Sequence, residues 1–284
     1  MTAAVLVRVE MVKQTRRAKG WTTLAVMAAL PVLLTVVIAV WAPTTPERIG
    51  DWISLTTDTS GFTVPLVAMN AMVIFLLPLG VAIFAGEAVA GEAGWGSLRY
   101  LLARPVSRSR VLAAKGVVAA AWSFAVVVVT VVASLGAGIV AFGWHPLTTL
   151  DLEHSSAFHL ATVVSGPGTA VGRIALGALV VSLLLTSTFA FTFLLSTLTS
   201  RPFSAVAGGV GFGFVSRALD DIPGLHALGP WLPMTDGGTT AWTELFGQPA
   251  QVPGLWHLIV VQALYAGGFL IAAWAVFTRS DILT

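Results

Sequence analysis

Cysteine is absent from the 284 residues, so the chain has no disulfide, no thiolate metal site, no cysteine nucleophile and no cysteine for lipid attachment. Charge is scarce as well: Asp, Glu, Lys and Arg make up 10% of the residues, against about 25% in an ordinary soluble domain. With 56% hydrophobic residues and a mean hydropathy of +0.89, a soluble fold would lack the polar surface to cover itself. Disorder is excluded by the same figures, because disordered chains are charge-rich and poor in apolar residues. Lysine occurs only at positions 13, 19 and 115, and none of the three follows a Gly-x-x-x-x-Gly phosphate loop. No His-Glu-x-x-His or Gly-x-Ser-x-Gly occurs either, so the chain is not expected to be an enzyme. His154 and His159, beside Glu153, read as solvated loop residues, and no metal site is expected.

Long apolar runs are what the chain has. Crossing a bilayer takes about 20 mostly apolar residues as a helix. Such runs fall at about 21–40, 62–85, 111–142, 171–198 and 255–277, with a shorter, glycine-rich one at 203–217. Transmembrane strands would alternate in polarity, whereas Val126–Val132 is apolar on both faces. The expectation is an all-α integral membrane fold: a 20-residue N-terminal segment, then one six-helix domain over 21–284. The first run is too long for a cleaved signal peptide and reads as a retained span.

Basic residues give the orientation. Arg8, Lys13, Arg16, Arg17 and Lys19 precede the first run, and Arg99, Arg104, Arg108, Arg110 and Lys115 separate the second from the third. With Arg201 and Arg279, these make twelve of the fifteen Lys and Arg on one side. The positive-inside rule then places both termini in the cytoplasm. Within residues 1–20, Ala4, Val7, Met11 and Ala18 share a helical face, with Glu10, Lys13 and Arg17 well away from it, while Val5, Val9 and Val12 make a second apolar stripe. The segment is either an interfacial helix or a solvated basic tail.

The loop between the second and third runs is the most informative. Ser97 can cap a short helix that Pro105 ends at about Arg104. Trp95, Leu98, Leu101 and Leu102 would share its apolar face. Spacing alone leaves open whether that face docks on a soluble partner or lies on lipid headgroups. Inside the runs, Thr188, Thr192, Ser196 and Ser200 form an i, i+4 ridge, and Asn70, the only asparagine, falls in the second run. Helix packing and a substrate path both fit the ridge and Asn70. Ser204 and Gly208, like Gly209 and Gly213, are four apart and allow close helix approach, within the subunit or at a dimer seam. No span carries an ionisable group at its middle, so proton or ion coupling lacks its usual parts.

The loop resembles the permease subunits of bacterial ABC transporters of the second exporter type. Glu92 and Gly96 have that family's Glu-x-x-x-Gly spacing, and Ser97 stands where Thr is common. Leu98, Leu101 and Leu102 give the Leu-rich stretch, Arg104-Pro105-Val106-Ser107 the turn, and Lys115 the head of the third span. Two departures are Ala93, Gly94 and Trp95 between the Glu and the Gly, where the family usually carries charge, and Ala114 in place of Gly. The C-terminal Phe277-Thr-Arg-Ser-Asp281 is similar to the family's exit. The resemblance implies a bacterial plasma-membrane exporter that works by alternating access. It implies that Glu92, Gly96, Leu98, Leu101, Leu102, Arg104 and Pro105 couple the spans to cytoplasmic ATPase subunits. Those subunits would bind ATP and Mg, with no cofactor on this chain, and a second permease would complete the complex. The bilayer is the remaining partner, and nucleic acid is not expected. The competing reading is a transporter or accessory membrane protein with no ATPase. Residues 217–254 would hold either re-entrant half-helices or a plain outer loop.

Overall fold

The computed structural model describes residues 3–41, 47–49, 53–55, 60–94, 96, 106–151, 161–220, 222, 224, 228–234, 242–246, 252 and 254–279. The helix at Ser97–Pro105 expected from the sequence lies outside these residues, as do Trp95, His154 and His159. Helices are α1 (Ala3–Arg16), α2 (Ala18–Trp41), α3 (Thr63–Val73), α4 (Leu76–Gly94), α5 (Arg108–Phe142), α6 (Pro167–Leu184), α7 (Thr186–Leu198), α8 (Pro202–Asp220) and α9 (Leu255–Arg279). Two short antiparallel hairpins, which the run-counting did not anticipate, pair β1 (Glu47–Ile49) with β2 (Ile53–Leu55) and β3 (Leu147–Asp151) with β4 (Ala161–Ser165). Their registers run Glu47 to Leu55 and Leu147 to Ser165.

Among the described residues five stretches are long and apolar enough to cross a membrane: Ala18–Trp41, Leu76–Gly94, Arg108–Phe142, Pro167–Leu198 and Leu255–Arg279. The first and last agree closely with the apolar runs. The second does not. The expected span at 62–85 is two helices, α3 and α4, parted at Ile74 and Phe75, and α4 continues to Gly94. The fourth starts at Pro167 rather than Val171, because a proline with its fixed φ sits well in a first helical turn. It is parted at Leu185 into α6 and α7. The glycine-rich sixth candidate, α8, is 19 residues long, but glycines, two serines, Arg217 and Asp220 dilute its apolar content, and it is not among the five.

Helix α4 is the centre of the bundle. It packs on α5, α7 and α8, and more lightly on α2. On the flanks α2 packs on α5, α9 on α7, and α7 on α8. At 35 residues α5 is about 52 Å long, longer than a hydrocarbon core of about 30 Å, so its ends reach past that core. Helix α1 lies against one of those ends. The main core joins Leu66, Met69, Leu77, Trp122, Val126 and Leu184. Met234, Trp242, Leu245 and Phe246, from the stretch between α8 and α9, are buried in the same cluster. Part of residues 217–254 therefore turns back into the bundle, and its described residues include two short 3-10 turns, Gly229–Trp231 and Thr243–Phe246.

Candidate functional site: an ionic cluster and two helix junctions

Three elements bring charge together at the α1 end. Lys115, near the start of α5, is 3% exposed, and Glu92, in the last turn of α4, is 6% exposed. Lys115 Nζ donates to Glu92 Oε2 at 2.8 Å and to Glu10 Oε2 at 3.4 Å. Lys13 Nζ, on α1, donates to Glu92 Oε1 at 3.1 Å and to Glu10 Oε1 at 2.9 Å. A fifth link, Lys19 to Glu87, ties the head of α2 to α4. Each carboxylate of the central four groups meets both ammonium groups, so no buried charge is left alone, the condition under which burying charge is tolerated. Burial alone would favour a neutral Lys13, but its hydrogen bonds and proximity to Glu10 and Glu92 outweigh that, and its pKa is raised above the ordinary 10.5. A small polar cavity of about 30 Å³, enough for a water molecule, lies beside Glu10, Gln14, Glu87 and Lys115.

This placement corrects the reading of α1. Leu6 is buried, and Glu10 and Lys13 turn toward α4 and α5 with Val7 and Met11. Val5, Val9 and Val12 are the exposed stripe. The charged residues sit on the packed face because their partners, Glu92 and Lys115, are remote in sequence and invisible to helical periodicity.

Glu92 and Gly96, one turn apart, do different things. Glu92 faces inward to two lysines. Gly96 has φ +68°, the left-handed region that glycine enters without strain, and its N–H donates to Ala93 O at 3.0 Å. The chain thus leaves α4 through a glycine turn anchored by a buried carboxylate. Leu98, Leu101, Leu102, Arg104 and Pro105, which follow, lie outside the described residues.

Three of the four positions of the hydroxyl ridge are packed inside the bundle, and Ser200 is exposed. Thr188, Thr192 and Ser196 on α7 are all buried. Thr192 Oγ1 donates to Thr188 O at 2.7 Å and Ser196 Oγ to Phe193 O at 2.8 Å, so both hydroxyls are satisfied within their own helix. Thr188 Oγ1 has no hydrogen-bond partner among the described residues. Across from the ridge lies α8: a methyl placed on Gly209 would collide with Thr192, and one on Gly208 with Leu195. Gly213 faces Met234, while Ser204 is exposed. Asn70 is half-buried on α3, whose main packing partner is α5, and the ridge faces α8.

One buried polar residue gave no strong signal in the sequence. Gln262 on α9 is 1% exposed. Its Oε1 accepts from Ser187 N–H at 3.2 Å, at the start of α7, and its Nε2 donates to Pro233 O at 2.8 Å. The parting at Leu185 frees a backbone N–H inside the bundle, and an amide from another helix satisfies it.

The family described as ABC-2 family transporter protein matches residues 6–200, from α1 through α7, and so takes in the ionic cluster, the Glu92–Gly96 turn and the hydroxyl ridge. No curated protein matches the chain. A match over more than half of the sequence, on a chain with several spanning helices, makes this multi-pass membrane protein a member of the ABC-2 transporter family, with the character of an ABC-2 permease.

Proposed function

We propose that the chain is the membrane-spanning permease subunit of an ATP-driven exporter in a bacterial plasma membrane, with the α1 end and both termini in the cytoplasm. Two permeases pair with two ATPase subunits that bind ATP and Mg, and alternating access moves the cargo. Support comes from the family, whose members generally work with ATPase partners, and from the twelve-of-fifteen division of basic residues. The observation that carries the reading is the ionic cluster. It clamps α1, α4 and α5 at the point where the chain leaves α4 for the basic loop. A push on that loop from an ATPase is transmitted to three elements at once, since long side chains locked by mutual ion pairs move as one body. In this reading Glu92 acts by positioning the loop, while Leu98, Leu101 and Leu102 make the contact itself.

Leu101→Asp tests it. One buried leucine is worth roughly 1.5–3 kcal/mol, and an unpaired carboxylate adds a desolvation cost. ATPase co-purifying with the permease should fall by more than about tenfold, with transport lost and membrane insertion intact. Arg99→Ala, off the apolar face, should do much less. Full transport and undiminished ATPase capture by Leu101→Asp would overturn the coupling role.

A further inference from the structure

The geometry points to a binding site for one acyl tail of a membrane phospholipid, in the cleft that the parting of α6 from α7 leaves against α5. The cleft measures about 240 Å³. A cavity of about 150 Å³ already admits benzene, so this one has room for a longer apolar group. Its walls are Val81 of α4, Phe124 and Val127 of α5, and Leu183, Leu185 and Phe189 around the junction.

Three observations identify the occupant as apolar and as lipid. No charged residue lines the cleft, and its three hydroxyls are already engaged. Ser123 donates to Val81 O at 3.4 Å, Ser182 to Ala178 O at 2.7 Å and Thr186 to Leu183 O at 2.7 Å. Water would find few partners there. Second, Ser123 lies fifteen residues from the start of α5 and Ser182 fifteen from the start of α6, each about 22 Å along its helix, at acyl-chain depth. Third, the mouth is Phe124, 46% exposed, among exposed Val117 and Val128 on α5 and Leu176 and Leu179 on α6. The cleft is therefore continuous with the apolar outer surface of the bundle. A tail lying in it touches Leu183, Leu185 and Thr186, the residues of the junction whose freed Ser187 N–H Gln262 holds from α9. Occupancy would brace one side of the junction and the Gln262 amide the other.

This site depends on the chain's being a multi-pass membrane protein and not on its pairing with an ATPase. It is tested on the full chain in phosphatidylcholine nanodiscs doped with a phosphatidylcholine carrying a diazirine on its tail. After photolysis, labelling is mapped by mass spectrometry. Residues 120–127 and 182–189 should carry at least fivefold more label than exposed Leu33 on α2 and Leu270 on α9. Ser182→Phe and Ala120→Trp, which fill the cleft from opposite walls, should each remove that excess and leave Leu33 unchanged. Equal labelling of cleft and outer surface in the unmutated protein overturns the proposal, whatever the two variants do. So does an excess that survives filling. Background lipid labelling together with saturable binding of an apolar dye, lost in both variants, would overturn the lipid assignment in favour of a cargo site.

Discussion

The α1 end and the α7–α8 seam handle buried polar groups in opposite ways. At the α1 end, four charged groups from three elements satisfy one another, across sequence separations as large as 105 residues between Glu10 and Lys115. At the seam, Thr192 and Ser196 bond their own helix, and contact with α8 rests on shape, glycine against hydroxyl-bearing side chain. The first arrangement fails when one member is removed, because its partners stay buried and charged. The second fails when volume is added, because nothing there can move aside. Both stretches lie within or beside the region that matches the family.

Removing a charge should therefore have the largest effect. Glu92→Gln leaves the Lys115 ammonium, 3% exposed, with Glu10 at 3.4 Å as its one carboxylate among the described residues, and should cost about 3–5 kcal/mol. The thermal midpoint of the purified protein should drop sharply. Adding Lys115→Met should recover most of the loss, and a double variant no better than the single one would show the pair is not the source. Next comes Gly209→Val, which drives a branched side chain into Thr192 and should cost about 1–3 kcal/mol. Thr192→Ala in the same chain should return part of it, a coupling readable in a double-mutant cycle. If the two changes simply add, the seam is not packed as described.

Alkaline titration gives a smaller effect. Lys13 has a raised pKa, so the stability it contributes is fully present below its unfolded value of 10.5 and is lost as pH rises through the higher folded value. Its side chain is partly exposed, so the change is modest. Thermal stability should hold from neutrality to that point and then decline, and Lys13→Met should flatten the decline. The smallest effect is expected from Thr188→Val, which removes a buried hydroxyl that has no partner among the described residues and keeps the side chain's shape. Its unfolding free energy should stay within about 0.5 kcal/mol of the parent's or rise slightly. A marked loss of stability would reveal a bond to that hydroxyl.

Much of the helical architecture was legible because the bilayer imposes a length and a polarity on anything that crosses it. The run at 21–40 became Ala18–Trp41 and that at 255–277 became Leu255–Arg279. The Leu185 junction was not legible, since no proline or glycine marks it. The Ile74–Phe75 step does carry a mark: Pro78 lacks the N–H that would bond Ile74 O four residues back, and its ring crowds that carbonyl. What stabilises the Leu185 junction is the Gln262 amide, 75 residues away from the N–H it accepts, a polar side chain in an apolar run whose partner helical spacing does not reveal. The cluster was half legible: Glu92 and Lys115 stood out by their place in the motif, while Lys13 and Glu10 were assigned to the wrong face of α1. A helical wheel weighs apolar residues and has no means of seeing that a carboxylate one bundle layer away makes a charged face the packed one.

By itself the amino-acid sequence determined that this chain is a helical membrane protein of a recognisable transporter type. Hydropathy, basic-residue bias and the Glu-x-x-x-Gly turn are local properties, written in consecutive residues. Only the tertiary structure decided how its charges pair, where its fourth span parts and which face of α1 and of the hydroxyl ridge is buried. Those depend on groups far apart in the chain meeting inside a medium with no water to satisfy them, so each polar atom's environment is set by whichever helix packs against it.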